Sequence, residues 1–442
     1  MHTLRQEPEV RAWLALGVMV AVMLYATIDR QVFALVAAGM SRTLRLSNTQ
    51  LGLIQGLGFA VFTSIAAYPI AWFADRFDRR VVLTACIFSW AMGTAACGLA
   101  SDFFTLFVAS AALAAAEAGL APIFMSMLPE LFHGQARITA TMIYYIAVSL
   151  SMASGLFLVG AMLSGLDAIK PLFPLLTPSE DWRLAFLAAA APFPIFMLLV
   201  GLLPRGQLSN AQARSSATNA PVLPFLASNR RSVTLIFTGM TFFALGVTGI
   251  LAWTPVSLTR SFGLSAAHVG MVLGAVIAVA SVAGVAVGNF VLRHLQRRLG
   301  YRAAPRVVWV SLTVCLPFIF LIPLAAAPWQ VFVLVGFQVF VSTIAGASSV
   351  SVLQDLAPAP VRARIMALRA MINGPAVGVG VAGSAFLGDL IDAGPASLFW
   401  GGVFISVPAW LLCVLLLRLA ETPFELTARE STGMHHPLES AQ

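Results

Sequence analysis

The chain has few charged residues. Only 10% of its 442 residues are Asp, Glu, Lys or Arg, whereas 59% are hydrophobic. Ordinary soluble domains carry about 25% charged residues, so this composition argues against a soluble enzyme or a nucleic-acid-binding domain. Membrane β-barrels are also disfavoured, because their strands alternate apolar and polar residues. At roughly 20 apolar residues per crossing, the composition predicts a polytopic helical membrane protein.

Lysine is almost absent. Lys170 is the single lysine among 26 basic residues, and it is followed by Pro171. A phosphate-binding P-loop needs a Gly-Lys-Ser/Thr sequence whose lysine reaches the nucleotide phosphates. The chain therefore carries no ATPase motor, and we expect a gradient or the substrate itself to supply any energy that it needs.

Cysteine is scarce as well, and the four cysteines lie far apart in apolar stretches: Cys86, Cys97, Cys315 and Cys413. This pattern is typical of small, buried packing residues. It contains neither a disulfide framework nor a CxxC metal or redox signature. We therefore expect no metal and no cofactor.

Apolar runs bounded by charges, Pro or Gly predict twelve membrane spans. The first run, from Trp13, is too long for the hydrophobic region of a cleavable signal peptide, so we expect it to remain as span 1. The predicted spans fall near 12–38, 49–73, 81–100, 103–128, 138–163, 184–203, 232–256, 267–291, 307–326, 329–353, 363–388 and 395–417. The predicted organisation is an N-terminal six-helix bundle (1–203), a cytoplasmic linker (204–231), a C-terminal six-helix bundle (232–420) and a polar tail (421–442).

The arginines predict the orientation. If both termini are cytoplasmic, twenty basic residues fall inside and Arg30 lies within the membrane, and only five fall outside: Arg42, Arg45, Lys170, Arg183 and Arg260. Such an excess of inside charge follows the positive-inside rule. The excess of basic residues therefore reflects membrane topology rather than nucleic-acid binding. It predicts a multi-pass inner (plasma) membrane protein with both ends in the cytoplasm.

The chain also repeats itself. A shift of 218 residues aligns 41–56 with 259–274 and 74–80 with 292–298, and a shift of 225 aligns 126–137 with 351–362. Two six-helix halves in the same orientation are typical of transporters built from parallel repeats. In such proteins the substrate site is expected between the halves at mid-membrane.

Two loop motifs resemble the major facilitator superfamily. Residues 71–80, AWFADRFDRR, resemble the G-x-L-A-D-R-x-G-R-R signature of that family, with Ala71 and Asp78 in place of its glycines. Residues 181–186, DWRLAF, resemble its recurrent W-R-x-x-F. The resemblance covers essentially the whole chain and implies an all-α membrane fold of two pseudo-symmetric six-helix bundles.

A narrower resemblance is to the spinster-like branch of lipid transporters, and it is carried by IDR at 28–30, GLIQ at 52–55, EAGLAP at 117–122, LF at 131–132 and Arg137. The sequence departs from the branch at Ser110, where the branch has Arg, and at 114–118, where AAAEA replaces G-x-G-E-A.

The resemblance implies a proton-coupled secondary transporter, acting as a monomer by alternating access. Its substrate would be an amphipathic, anionic lipid such as a lysophospholipid or a sphingoid phosphate. The alternatives are a proton-linked drug exporter and an organic-acid transporter of the same fold. A receptor or a membrane enzyme would need a large soluble domain or a catalytic cluster, and the sequence shows neither.

Three charged residues lie deep in predicted spans: Asp29 and Arg30 in span 1 and Glu117 in span 4. A charge at the bilayer centre costs about 3 kcal/mol, so such residues face a partner or a water-filled cavity. Consecutive residues point about 100° apart on a helix, so Asp29 and Arg30 cannot aim at one point. We expect Asp29 or Glu117 to neutralise Arg30 in one conformation and to carry a proton in another, while Arg30 attracts the substrate. The alternative is a permanent salt bridge between spans 1 and 4.

The loop after span 2 predicts a conformational latch. Its Asp75, Arg76 and Arg80 are expected to pair with charges at repeat-equivalent positions, which are Glu130, Arg137, Asp355 and Arg362. The alternative is a basic loop that serves topology alone.

Further polar residues are candidates for substrate contact. Arg369 and Asn373 lie four residues apart, hence on one helix face, and are expected to reach an anionic headgroup. Snorkelling of Arg369 to the lipid interface is the alternative. The other candidates are Tyr25, Gln55, Ser110, Tyr144 and Gln338. Polar residues within spans also join helices to one another, which is their alternative role.

Overall fold

The computed structural model describes residues 6–169, 180–203, 222–391 and 393–431, and within these ranges helices joined by short turns make up the chain, with no strand. The α-helices are α1 (Gln6–Leu44), α2 (Asn48–Gly52), α3 (Phe59–Arg76), α4 (Arg79–Leu99), α5 (Phe103–Glu117), α6 (Leu120–Leu131), α7 (Gly134–Ile169), α8 (Asp181–Ala190), α9 (Phe193–Gly201), α10 (Val222–Ser228), α11 (Arg230–Leu251), α12 (Thr254–Phe262), α13 (Ala266–Leu299), α14 (Ala303–Leu321), α15 (Pro328–Leu356), α16 (Ala359–Ile391) and α17 (Ser397–Ser431). A π-helix, Leu53–Gly58, joins α2 to α3, and single 3₁₀ turns occupy Gly300–Arg302, Ile322–Leu324 and Gly394–Ala396.

Ten stretches of the described residues are long and apolar enough to cross a membrane. One of them, Ala266–Leu324, contains both α13 and α14, which are separated at Gly300, where φ is +57°. Predicted span 5 coincides with the 36-residue helix α7. Each predicted span therefore has helix at its position, and the predicted all-α membrane fold is confirmed.

Polar caps define where several helices begin. The first N–H groups of a helix have no partner within it, and a side-chain oxygen just before the helix can accept from them. Ser47 accepts from the Gln50 N–H, and the Gln50 side chain accepts from the Ser47 N–H. Asp102 and Thr105 form the same reciprocal pair at the start of α5. The bond from the Thr105 N–H is the main cause that lowers the pKa of Asp102.

The chain forms two compact units. Of the described residues, the N-unit comprises 6–169, 180–203 and Thr254–Ala278, and the C-unit comprises 222–253, 279–391 and 393–431. The N-unit thus includes α12 and the first part of α13, which the sequence analysis placed in the C-terminal bundle. In the N-unit α1 packs on α7 and α8, and α4 packs on α5. In the C-unit α11 and α14 both pack on α17.

Helix α17 continues beyond the predicted boundary at residue 420. The predicted polar tail begins at Glu421, yet the helix runs on to Ser431. Glu421 accepts from Arg306 at 3.0 Å and from the Trp309 indole at 2.6 Å, and Glu425 is paired with Arg302. These polar residues are therefore held on α14, and a polar composition does not mark the end of the helix here. The predicted tail residues 432–442 lie outside the described part of the chain.

We expect Glu421→Ala to lower the unfolding temperature of the purified protein. The Glu421 side chain is only 10% exposed, and its loss leaves the Arg306 guanidinium and the Trp309 indole without their acceptor. Orphaning such groups costs about 2 kcal/mol. The measurement is thermal unfolding in detergent, with Glu430→Ala at an exposed position of the same helix as control. Equal shifts for the two variants would contradict the structural role.

Candidate functional site

The charged pair predicted between spans 1 and 4 is formed. Arg30 on α1 donates through Nη2 to Oε1 of Glu117 on α5, at 2.5 Å. The Glu117 side chain is 10% exposed and the Arg30 side chain 50%. The Arg30 guanidinium also lies over the Phe59 ring, 4.5 Å from its centroid. The buried carboxylate therefore has a charged partner, while part of the guanidinium stays accessible to a ligand.

Asp29 faces a different helix. It is 1% exposed, and its Oδ2 accepts from the Trp90 indole N–H at 2.7 Å and from the Thr94 hydroxyl at 3.0 Å, both on α4. Its Oδ1 is buried and has no hydrogen-bond partner among the described residues. The divergence of Asp29 and Arg30 expected from helix geometry is confirmed.

Trp90 and Thr94 are residues of this site that the sequence reasoning missed. They lie four residues apart on α4, and therefore on one face. Their signal was present in the sequence, because a Trp N–H buried in an apolar span needs an acceptor. That signal makes Trp90 a candidate donor, but it does not tell which carboxylate Trp90 faces.

Tyr25 is half-buried and Ser110 is buried in the N-unit. The Tyr25 hydroxyl donates to the Ala189 carbonyl at 2.5 Å, and its ring lies 4.7 Å from that of Phe196. Ser110 is 3% exposed and donates to the Phe107 carbonyl of its own helix at 2.8 Å. Both hydroxyls are thus bonded to backbone, which fits the alternative of helix packing better than substrate contact.

Gln55 and Tyr144 are buried polar candidates of the same unit. Gln55 lies in the π-helix, a form that occurs frequently at functional sites. Its Nε2 is buried without a hydrogen-bond partner among the described residues. Tyr144 on α7 is 3% exposed. Of the two, Gln55 carries the clearer structural sign of an unfilled polar contact.

The C-unit holds a buried arginine. Arg369 on α16 is 8% exposed, and its Nη2 donates to the Met240 carbonyl of α11 at 2.7 Å. Its Nη1 is buried without a partner, and the ion pairs found among the described residues include none with Arg369. A snorkelling side chain would carry its guanidinium to the interface, so the burial contradicts that alternative.

Other polar groups of the C-unit are also unsatisfied. Gln338 and Ser342 lie four residues apart on α15 and are 2% and 8% exposed. Gln338 Oε1 and Ser342 Oγ have no hydrogen-bond partner in the described part of the chain. Asn373, one turn after Arg369, is half-buried. Buried polar groups are normally bonded, so these atoms mark places where a polar ligand or water would bind.

The loop between α3 and α4 forms an ion pair with Glu130 through Arg79, a residue that the sequence analysis did not single out. Glu130 on α6 accepts from Arg79 at 2.8 Å, and the Arg79 side chain is 8% exposed. Asp78 caps α4 by accepting from the Arg80 N–H. Arg76 lies over the Trp72 ring at 3.7 Å. The loop is thus linked to α6 through Arg79.

Other residues of the predicted latch are Arg137, Asp355, Arg362 and Arg80. Arg137 is exposed at the start of α7, and Asp355 is half-buried near the end of α15. The side chain of Arg362 lies outside the described residues. Arg80 Nε is buried without a hydrogen-bond partner in the described structure.

The four cysteines are buried and free. The described residues contain no group of three or more His, Cys, Asp or Glu side chains that is placed to hold a metal ion. The site chemistry of these residues therefore rests on arginines, carboxylates and hydrogen-bond donors.

Comparison with known proteins decides the family. The model of the Major Facilitator Superfamily matches residues 14–381. The chain belongs to the Major Facilitator Superfamily. It is accordingly a multi-pass membrane transporter of small molecules and not an enzyme, and the resemblance seen in its loop motifs is confirmed.

Curated relatives include transporters with different cargoes. The chain is 26% identical to an MFS-type efflux pump of Mycolicibacterium smegmatis, over 71% of this chain and 69% of that protein. It is also 26% identical to protein spinster homolog 3 of Danio rerio, over 65% of this chain and 59% of that protein. A sphingosine-1-phosphate transporter, SPNS2 of Danio rerio, is 24% identical over 66% of this chain and 59% of that protein. The chain thus spans less than two thirds of the length of these two spinster relatives.

Solved structures show the same fold. A bacterial homolog of the human lysosomal transporter Spinster, in an inward-facing and unoccupied conformation, matches with a TM-score of 0.76 and 19% identity, over 97% of this chain and 99% of the other. The nucleoside transporter NupG matches with a TM-score of 0.66 and 13% identity, over 93% and 98% of the two chains. At these identities the match establishes the fold alone.

Proposed function

We propose that the protein is a proton-coupled secondary active transporter of an amphipathic, anionic, lipid-like substrate of the lysophospholipid or sphingoid phosphate type. It would act as a monomer by alternating access in the inner (plasma) membrane, with both termini in the cytoplasm. The proposal of an anionic substrate rests on the buried Arg369, whose Nη1 has no acceptor among the described residues.

A buried cation without a carboxylate partner is costly unless an anion joins it. Arg369 has the Met240 carbonyl as acceptor for Nη2, and the two N–H groups of its buried Nη1 have no acceptor among the described residues. A phosphate or carboxylate would accept from that group and would supply the missing negative charge. Guanidinium groups suit such anions because their planar array of donors matches the anion geometry.

Arg30 is proposed as a separate point of attraction for an anion, within the N-unit. It is paired with Glu117 but remains half-exposed and has N–H groups beyond the one used in that bond. Because its charge is already balanced by Glu117, it can release an anion more readily than an uncompensated arginine can. We therefore expect Arg369 to contribute most of the substrate affinity. Arg30 would connect substrate binding to the protonation of Glu117.

Protons are assigned to Asp29 and Glu117. Asp29 is fully buried, and its Oδ1 is free to carry a hydrogen while Oδ2 keeps its bonds to Trp90 and Thr94. Protonation of Glu117 would break its ion pair with Arg30, and Arg30 would then be available to bind the substrate. Intramembrane carboxylates with such partners serve as proton relays in many transporters.

The lipid-like cargo is supported by a relative that is named for it, the sphingosine-1-phosphate transporter SPNS2 of Danio rerio. The chain also carries the IDR and EAGLAP segments on which the spinster-like resemblance rests. A hexuronate transporter of Bacillus subtilis at 23% identity and the efflux pump at 26% support the organic-acid and drug-export alternatives. These three cargo classes differ in charge and in apolar length, so they can be separated by binding.

The deciding experiment is a thermal-shift screen of the purified wild-type protein and Arg369→Gln. The ligands are a lysophospholipid, a sphingoid phosphate, a hexuronate and a cationic drug. Stabilisation of the wild type by the two lipids, and its loss in the variant, would support the proposal. Stabilisation by hexuronate alone would favour an organic-acid transporter, and stabilisation by the cationic drug alone would favour an exporter.

Asp75→Asn is expected to change transport turnover several-fold and to leave substrate affinity nearly intact. Asp75 stands at the end of α3 beside the loop that Arg79 and Glu130 connect to α6, so its charge acts on conformational change rather than on substrate. The measurement is kcat and KM in proteoliposomes, with Asp102→Asn at the start of α5 as the same chemical change elsewhere. A pure rise in KM would contradict the latch.

A further inference from the structure

Two neighbouring cavities lie along helices α4 and α5 of the N-unit. The first, of about 640 Å³, is lined by α3, α4 and α5, and the second, of about 570 Å³, is lined by α4 and α5. Ser89 and Ala112 line both cavities, so the two adjoin there and together form one groove, which we call the α4–α5 groove. Each of the two cavities has the volume of an ordinary ligand pocket.

Small residues leave this groove unfilled. Helices α4 and α5 cross closely, since a Cβ on Gly93 would lie 2.9 Å from the Leu113 nitrogen. Beside this contact, short side chains do not fill the space between the helices: Ala85, Ser89, Ala96 and Ala112. All four are exposed, so the groove is open along its side. Atoms that line an empty groove forfeit dispersion contacts, and hydrocarbon chains of the bilayer can restore them.

The groove is apolar over a length that suits an acyl chain. No charged residue is among those that line the two cavities, and Ser89 and Thr105 supply the hydroxyl groups. Along α4 the groove runs from Val81 to Ala96, which is about 22 Å at the rise of an α-helix. The hydrocarbon core of a bilayer is about 30 Å thick, so its two leaflets take about half of it each. The groove can therefore hold the acyl chain of a phospholipid over its whole length.

The two ends of the groove differ in charge. Phe77 and Val81 line one end, and Arg76 and Arg80 directly precede them in the chain. Arg80 Nε is buried without a hydrogen-bond partner in the described part of the chain. The other end lies at the start of α5, which is capped by the carboxylate of Asp102. A phosphate group is therefore favoured at the arginine end and disfavoured at the other.

The groove is separate from the candidate functional site. Trp90 and Thr94, which donate to Asp29, lie on a different face of α4 from the residues that line the groove. Neither cavity is lined by Arg30 or Glu117. A ligand in the groove would thus leave the paired charges of the N-unit untouched.

We propose that the α4–α5 groove is a binding site for a resident phospholipid of the surrounding bilayer, with one acyl chain in the groove and an anionic phosphate at Arg76 and Arg80. The second acyl chain stays among the bulk lipids. The bound lipid braces α3, α4 and α5 against one another, and it is not the transported cargo. The site is independent of proton coupling and of the substrate that the protein carries.

The test is native mass spectrometry of the protein purified in a mild detergent, which reports the lipids that stay bound. The double variant Ser89→Leu/Ala112→Leu fills the middle of the groove with side chains. We expect phospholipid to remain on the wild-type protein and to fall several-fold on the double variant. Ala286→Leu, at an exposed position of α13, is the control and is expected to match the wild type. Equal retention by the double variant and the wild type would overturn the proposal.

Thermal unfolding separates a filled groove from a damaged protein. Phosphatidylglycerol added to delipidated protein is expected to raise the unfolding temperature of the wild type by several degrees and that of the double variant hardly at all. Without lipid, the double variant is expected to unfold no earlier than the wild type, because leucine supplies the missing hydrocarbon contacts. Earlier unfolding would show that the groove has no room for hydrocarbon and would overturn the site, as would an equal gain from lipid in both proteins.

Arg80→Gln tests the charged end of the groove. It is expected to reduce the preference of the protein for phosphatidylglycerol over phosphatidylcholine several-fold, while phospholipid still occupies the groove. Arg137→Gln removes an exposed arginine at the start of α7 and serves as the control. The same preference in Arg80→Gln as in this control would overturn the assignment of the anionic phosphate to this end.

Discussion

Arg369→Gln is expected to weaken binding of the anionic substrate by about 10- to 100-fold. Nη2 of the buried guanidinium has one backbone acceptor, and its Nη1 is left for the substrate. Hydrogen bonds to charged groups contribute about 1.5–3 kcal/mol. Glutamine keeps a neutral donor in its place, so the loss reports the charge. The measurement is substrate affinity by thermal shift or by competition in proteoliposomes, with anionic and neutral analogues side by side.

Two further variants sharpen this result. Arg369→Lys keeps the charge but not the planar pair of donors, so it is expected to retain part of the affinity. Arg364→Gln removes an exposed arginine from the same helix and is expected to have little effect on affinity. Equal losses for the anionic and the neutral analogue in Arg369→Gln would show that the arginine supports the helices and does not recognise an anion.

Glu117→Gln is expected to abolish accumulation of substrate driven by an imposed pH gradient while downhill exchange continues. Glutamine can still accept from Arg30 through its amide oxygen, but it can neither hold nor release a proton at this position. We therefore expect complete loss of gradient-driven uptake, while the packing around residue 117 stays nearly unchanged. The measurement compares uptake with and without a pH gradient, and substrate counterflow, in the same proteoliposomes.

Asp29→Asn separates the two carboxylates. Loss of pH-driven uptake in both variants would assign the proton to the two carboxylates together, and loss in Glu117→Gln alone would assign it to Glu117. Retained uptake in Glu117→Gln would contradict the expectation stated above. Trp90→Phe is the companion variant, because it removes a donor to Asp29 without altering any charge. Wild-type pH dependence in both carboxylate variants would contradict proton coupling through this site.

Much of the architecture is predictable from the sequence because the bilayer imposes it. Long apolar runs must be helical in lipid, since each backbone N–H and C=O must be satisfied within its own segment. Helix geometry likewise predicts that Asp29 and Arg30 diverge, and in the structure Asp29 contacts Trp90 on α4 whereas Arg30 contacts Glu117 on α5. Such inferences need only the periodicity of one helix and no knowledge of its neighbours.

Partners from other helices are harder to predict. The sequence does not reveal that Trp90 faces Asp29, because this depends on the rotation of α4 about its axis. Nor does it show that Glu130 selects Arg79 among the arginines of the loop, since register between helices decides that choice. The repeat aligns Arg260 with Arg42, yet the two differ in partner, because contacts across helices are not symmetric in the two halves.

The polar end of α17 has a practical consequence for labelling this transporter. A fluorescent or affinity tag joined directly after residue 420 would remove Glu421 and Glu425, the residues that anchor α14 through Arg306 and Arg302. Such a fusion would report on a weakened protein. A tag joined beyond Ser431 leaves both anchors in place, so that position suits expression screening and single-molecule work.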